Sequence, residues 1–164
     1  MNPDRRLVLR RKYLSLGLGE LTACVMFAAV AAGLIVPELA SPSDGAGLWF
    51  ALVPLLGVLL QAGAYWLLAR SWVERAPMPS MLASLFRAFR VVNVALLTVG
   101  LVGVIAFWPD NIALGIAFLA VWAFGVVEYV NYFVVRLSYP ATRWVAMVRQ
   151  WRVPRLVQDL RAAM

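Results

Sequence analysis

Apolar residues occur along this chain in four long runs, each long enough to cross a membrane as a helix. A helix needs about 20 apolar residues to span roughly 30 Å of hydrocarbon. The runs cover residues 14–36, 48–69, 91–108 and 112–135. The connections between them are short and rich in turn-forming residues. The pattern therefore predicts an all-α membrane protein, a four-transmembrane-helix bundle forming one domain over residues 1–164 with a basic tail at 136–164.

Shorter amphipathic segments flank these runs. In residues 79–90 the apolar positions follow a helical spacing, so this segment predicts either a short surface helix or an extension of the third span. The tail shows the same spacing in residues 141–152, and Pro154 opens a further piece with apolar Leu156, Val157 and Leu160. Basic amphipathic helices with tryptophan are typical of membrane surfaces. We therefore expect short amphipathic helices lying on one face of the membrane.

The composition supports residence in a membrane. Hydrophobic residues make up 63% of the chain and charged residues only 14%, whereas soluble domains are about half apolar and about a quarter charged. Histidine is absent and Cys24 is the one cysteine, which excludes thiolate metal clusters and intrachain disulfides. We accordingly expect no metal and no cofactor. Arginine provides 14 of the 15 cations, a bias typical of GC-rich bacterial genomes.

The distribution of positive charge predicts the orientation. All 15 lysines and arginines lie in the N-terminal segment, the connection between spans two and three, or the tail. The other two connections have none. Cytoplasmic loops carry an excess of basic residues. The sequence therefore predicts a multi-pass protein of the bacterial inner (cytoplasmic) membrane with both termini in the cytoplasm.

The N-terminus has a second interpretation, as a cleaved export signal. Its basic residues precede an apolar run, and Ala29-Val30-Ala31 has the small residues of a cleavage site. However, Glu20 interrupts the apolar region, and the run continues beyond Ala31. The retained first span is the interpretation that we favour.

Several polar residues interrupt the cytoplasmic half of the spans. Glu20 lies eight residues beyond Lys12 and Glu128 eight before Arg136, which places both about 12 Å above the basic edge. A carboxylate in hydrocarbon is costly and turns toward partners inside the bundle. We therefore predict an intramembrane polar layer in which Glu128 lies within hydrogen-bonding reach of another span, directly or through water, with Gln61, Asn93 or Glu20 as its partner. Its members are Glu20, Gln61, Tyr65, Asn93, Glu128, Asn131 and Tyr132.

A second set of residues is predicted to face the lipid headgroups on the cytoplasmic side. Basic and tryptophan side chains at this depth attract anionic lipids. The set comprises Arg87, Arg90, Arg136, Arg143, Trp144, Arg149, Trp151 and Arg152. Because the positive charge is what membrane topology requires, we expect no binding of nucleic acid.

Three functions are compatible with this sequence. It contains no nucleophile elbow, phosphate-binding glycine loop or HExxH helix, so we expect no enzyme activity. The favoured function is a non-catalytic accessory, regulatory or structural membrane component that associates with membrane lipids, with a larger membrane protein or with further copies of itself. The alternative is a small transporter or proton-linked carrier that uses Glu20 and Glu128. A membrane-embedded enzyme acting on lipids is the third.

Overall fold

The structure is a computed structural model that describes residues 3–137 and 153–163. All its regular elements in these ranges are helices. Four of them are long and apolar enough to cross a membrane, which confirms the prediction of four spans. They are α1 (Pro3–Val30), α2 (Pro42–Trp72), α3 (Ser80–Ala106) and α4 (Ile112–Phe133), and the shorter helix α5 (Arg155–Ala162) follows.

The ends of the spans have clear local causes. Helix α1 continues through a π-helical turn (Ala31–Ile35) and a short 3-10 turn (Val36–Glu38) that contains Pro37. Helix α2 begins after Ser41, whose hydroxyl accepts a hydrogen bond from the Asp44 backbone N–H at 3.2 Å. Helix α4 begins after Asn111, whose side-chain oxygen accepts from two N–H groups of the first turn. These caps satisfy backbone donors that the helix itself leaves without a partner.

Helix α2 is the centre of the bundle and packs against α1, α3 and α4. Half of its most apolar 18-residue window is buried within the protein, compared with 6% for α1. Helix α1 therefore lies at the periphery and presents most of its apolar surface outward. Such a surface is compatible with lipid contact along most of its length.

Small residues bring α1 and α2 into close contact. A Cβ added to Gly63 would lie 2.7 Å from Cγ of Leu21 and 3.1 Å from the backbone oxygen of Gly17. Small residues at helix interfaces allow this approach in membranes, where packing replaces the hydrophobic effect as the driving force. The two helices are thus fixed in register where Gly17 faces Gly63.

The buried residues form two clusters, one toward each end of the bundle. We call the basic end the one at which α1 and α3 begin and α2 and α4 end. The cluster at the basic end is rich in aromatic residues, including Tyr13, Tyr65, Trp72 and Phe86. Helix α5 contributes Leu156 and Leu160 to this cluster.

Two expectations about the amphipathic segments are resolved by the structure. The segment 79–90 is the first part of α3, so the extension of span three is correct and a separate surface helix is not. The helix predicted after Pro154 exists, but its apolar residues are buried against the bundle instead of lying on a membrane. Residues 141–152 lie outside the described residues, and with them the predicted headgroup contacts Arg143, Trp144, Arg149, Trp151 and Arg152.

Candidate functional site

A pair of amides connects α2 and α3. Nε2 of Gln61 donates to Oδ1 of Asn93 at 3.0 Å, and Nδ2 of Asn93 donates to Oε1 of Gln61 at 2.7 Å. Asn93 is only 1% exposed. Each amide therefore satisfies one donor and one acceptor of the other, which is the favourable arrangement for polar groups in apolar surroundings. This reciprocal pair holds two spans together within the apolar part of the bundle.

A second polar group connects α1, α4 and α2. The Tyr132 hydroxyl donates to Oε1 of Glu20 and accepts a hydrogen bond from Nε1 of Trp66 at 3.4 Å. Trp66 also packs against Tyr13 of α1, with ring centroids 4.9 Å apart. The predicted residues Glu20 and Tyr132 are thus brought together by a tryptophan that the sequence analysis did not single out.

Glu128 has a different environment from the one predicted. Its carboxylate bonds with the side chain of Asn131, on its own helix, and lies within electrostatic range of Glu20. The predicted direct hydrogen bond from Glu128 to another span does not occur among the described residues. Its two expected amide partners, Gln61 and Asn93, are already bonded to each other. The polar residues therefore form separate groups and not one continuous layer.

Asn131 also closes the end of α4. Its Oδ1 accepts a hydrogen bond from the Leu137 backbone N–H at 2.9 Å. A side-chain acceptor here satisfies a donor of the segment that follows the helix. The position of Asn131 close to the basic end is consequently explained in part by local chain geometry.

The structure adds a carboxylate that the sequence analysis missed, Asp159 of α5. Its Oδ2 accepts from the Tyr65 hydroxyl at 2.8 Å and from Nε1 of Trp72 at 3.1 Å, and its Oδ1 lies 3.1 Å from Nε of Arg155. Tyr65 belongs to this group and not to the predicted layer. One sequence signal marks Asp159, since a carboxylate between Leu156 and Leu160 lies on the apolar face of an amphipathic helix. Such a residue needs buried partners.

The charge of Arg155 is maintained by this group. Burial alone lowers the pKa of its guanidinium, but the carboxylate of Asp159 and the nearby tyrosines outweigh burial, so that the pKa is raised. Arg155 is therefore cationic at any physiological pH and compensates the charge of Asp159. The ion pair lies within α5, and the two neutral donors of α2, Tyr65 and Trp72, hold α5 against the basic end of the bundle through Asp159.

The predicted headgroup-facing residues within the described ranges are all exposed. Arg87 and Arg90 lie on the first turns of α3, and Arg136 follows α4. All three lie toward the basic end of the bundle.

The polar groups support two kinds of chemistry. The hydrogen bonds that they form stabilise contacts between helices, while Glu20 and Glu128 together could bind a proton or a cation. Within the described residues, no group of three or more metal-ligating side chains occurs. A groove of about 330 Å³ lies away from these groups, between α2 and α3, and is lined by apolar residues that include Trp49, Phe50 and Val99.

Comparison with known proteins gives no match. No protein-family model matches the chain, nor does a curated protein or a solved structure.

Proposed function

We propose that this protein is a non-catalytic component of the bacterial cytoplasmic membrane that packs with a larger membrane partner. The observation that carries the proposal is that its intramembrane polar side chains form hydrogen bonds between helices. Gln61 bonds Asn93 of the next span, and Tyr132 connects Glu20 with Trp66. These bonds hold helices together, which is the role expected of a rigid scaffold.

The exposed side of α1 is the surface proposed for the partner. Val25 is 66% exposed and Met26 is 55% exposed on a helix that buries little of its apolar surface in the bundle. A flat apolar surface of this kind can accept another transmembrane helix by van der Waals packing. The opposite side of the protein offers Val102 of α3, also exposed, for comparison.

Photo-crosslinking in native membranes tests this assignment. A photoreactive residue at Met26 should give a crosslink to one defined protein, whereas the same residue at Val102 should give lipid adducts only. Lipid adducts alone at both positions would contradict the proposed partner surface.

The proposed orientation places both termini in the cytoplasm. Its support is that the basic residues cluster at one end, where α1 and α3 begin and α2 ends, and basic residues favour the cytoplasmic side. Reporter fusions after Arg161 and within residues 71–79 should report the cytoplasm, and fusions within residues 41–46 should report the outside. An external C-terminus would contradict the orientation.

One observation favours a proton-linked carrier as the second candidate. Glu20 and Glu128 come from different spans and interact electrostatically. Two carboxylates in one site repel each other when both are charged, and a proton or cation relieves this repulsion.

Proteoliposomes distinguish the two candidates. For the scaffold, vesicles that contain the protein should dissipate an imposed pH gradient no faster than empty vesicles, with or without a lipophilic cationic dye. A faster, dye-dependent flux that is lost in a folded Glu20→Gln variant would support the carrier instead.

A further inference from the structure

Several arginines lie close together at the basic end of the α1–α2 contact. Nε of Arg6 donates to the Val73 backbone oxygen at 3.2 Å, which places Arg6 beside the end of α2. Arg6 also lies within electrostatic range of Arg10 and Arg75. Three cations thus lie close together although like charges repel.

A fourth arginine, Arg70, extends this cluster into the helix contact. At 100° per residue, Arg70 shares a face of α2 with Leu67 and Gly63, which pack against α1 at Gly17. Arg10 lies seven residues before Gly17, so it occupies the corresponding face of α1. The antiparallel register therefore places Arg10 and Arg70 opposite each other across the contact.

Arg70 also has a buried donor without a partner. Its Nε is inaccessible to solvent and forms no hydrogen bond among the described residues. A buried N–H of a guanidinium that lacks an acceptor is costly, and it indicates that an acceptor belongs there. Glu74, four residues after Arg70 in the chain, pairs with Arg5 at 3.5 Å.

Backbone geometry contributes to the arrangement. Glu74 adopts a left-handed conformation with a φ of 57° and lies within the turn that follows α2, at residues 73–75. The turn brings Arg75 into range of Arg6. A non-glycine residue with positive φ is uncommon and is often found where a binding site is built.

The depth of the cluster indicates the kind of anion. Arg10 lies four residues before the apolar run that begins at Leu14, about 6 Å along the helix. Arg70 directly follows the apolar run that ends at Ala69. Both therefore lie at the level where a bilayer places its phosphates, and guanidinium groups bind phosphate oxygens through paired N–H donors.

We propose that Arg6, Arg10, Arg70 and Arg75 form a binding site for a phosphate group, supplied by the headgroup of an anionic phospholipid. The phosphate accepts a hydrogen bond from the buried Nε of Arg70 and neutralises the cluster. The site does not depend on the partner proposed above. Lipid bound there stabilises the contact of α1 with α2.

The full-length protein in neutral detergent tests the site. Native mass spectrometry should show tighter binding of dioleoyl-phosphatidylglycerol than of dioleoyl-phosphatidylcholine. The double variant Arg10→Gln/Arg70→Gln should bind the anionic lipid about thirtyfold more weakly, about fivefold for each arginine lost near a membrane surface. The matched control Arg11→Gln/Lys12→Gln removes the same charge from exposed positions on α1 and should bind as the unmodified protein does.

Thermal unfolding provides the second measurement. Phosphatidylglycerol should raise the melting temperature of the unmodified protein and of the Arg11/Lys12 control, but not that of the Arg10/Arg70 variant. If that variant does not fold, the milder Arg6→Gln variant should show about a fivefold loss of affinity.

Two results would overturn the site. Equal weakening in both double variants would mean that only diffuse charge attracts the lipid, and unchanged binding in all variants would place the lipid elsewhere. Inorganic phosphate distinguishes the source of the anion. If millimolar phosphate stabilises the protein as well as the lipid does, and Arg10→Gln/Arg70→Gln abolishes this effect, the site binds a soluble phosphate and the lipid assignment is wrong.

Discussion

The amide pair between α2 and α3 gives a quantitative test of how polar bonds hold this bundle together. In an Asn93→Leu variant, the Gln61 amide loses both of its bonds with Asn93, at 2.7 and 3.0 Å, and must remain in apolar surroundings. In the double variant Gln61→Leu/Asn93→Leu, neither amide is present. The double variant should consequently be more stable than the sum of the two single losses predicts.

The size of the effect follows from the number of bonds. Interhelical hydrogen bonds in membranes contribute about 0.6 kcal/mol each on average and up to about 1.7 kcal/mol. Two bonds therefore predict a coupling free energy of about 1.2 kcal/mol, with an upper bound near 3.4 kcal/mol. Each single variant should lose roughly 1–3 kcal/mol of unfolding free energy because a buried donor or acceptor is left without a partner.

The unfolding free energy can be measured in bicelles by titration with dodecyl sulfate, followed by tryptophan fluorescence. The control cycle combines Gln61→Leu with Asn131→Leu. Asn131 bonds the Leu137 backbone and not Gln61, so this cycle should give a coupling of zero within about 0.5 kcal/mol. If the Gln61/Asn93 cycle also gave zero, the reciprocal pair would not stabilise the bundle, and the scaffold interpretation would lose its main support.

Three further substitutions test other contacts. Asp159→Leu leaves the buried donors of Tyr65 and Trp72 without an acceptor, which costs about 1–3 kcal/mol for each donor. Limited proteolysis should therefore cleave α5 faster in this variant than in an Arg161→Leu control, which changes an exposed position. Equal cleavage in the two variants would mean that Asp159 does not hold α5. Gly63→Ala should lower the melting temperature because the added Cβ would lie 2.7 Å from Cγ of Leu21 on α1. The control Gly19→Ala should not, because no atom lies within 4 Å of its added Cβ. Equal melting temperatures of the two variants would contradict the close helix contact. Glu20→Gln keeps an acceptor for Tyr132 and should melt close to the unmodified protein, whereas Glu20→Leu should melt lower. An equal lowering of the melting temperature in both variants would show that the negative charge, and not the acceptor, is what stabilises this contact.

The four spans could be predicted from the sequence because apolar length alone decides whether a helix can cross a membrane. The positions of the polar residues along their helices were equally accessible, since they follow from the rise per residue. Their partners were not, because pairing depends on which helices are neighbours. Gln61 bonds Asn93 because α3 lies beside α2. Since both of these amides are then occupied, Glu128 bonds Asn131 on its own helix.

The contact of α5 could not be predicted from periodicity alone. An amphipathic helix with basic residues can lie on a membrane or on a protein, and the same apolar face of the helix is buried in either case. Asp159 distinguishes them, because a membrane surface offers its carboxylate no counterpart to the Tyr65 and Trp72 donors.

The bond between Glu20 and Tyr132 also has a consequence for the order in which the chain is made. The two residues are 112 positions apart, and synthesis proceeds at about 5–20 residues per second, so Glu20 precedes its partner by roughly 6–22 s. During this interval α1 can be held only by α2, through Tyr13 against Trp66 and the contact of Gly17 with Gly63. The first hairpin therefore assembles before the polar bond that completes it, and the arrival of α4 is the step that secures the carboxylate of the first span.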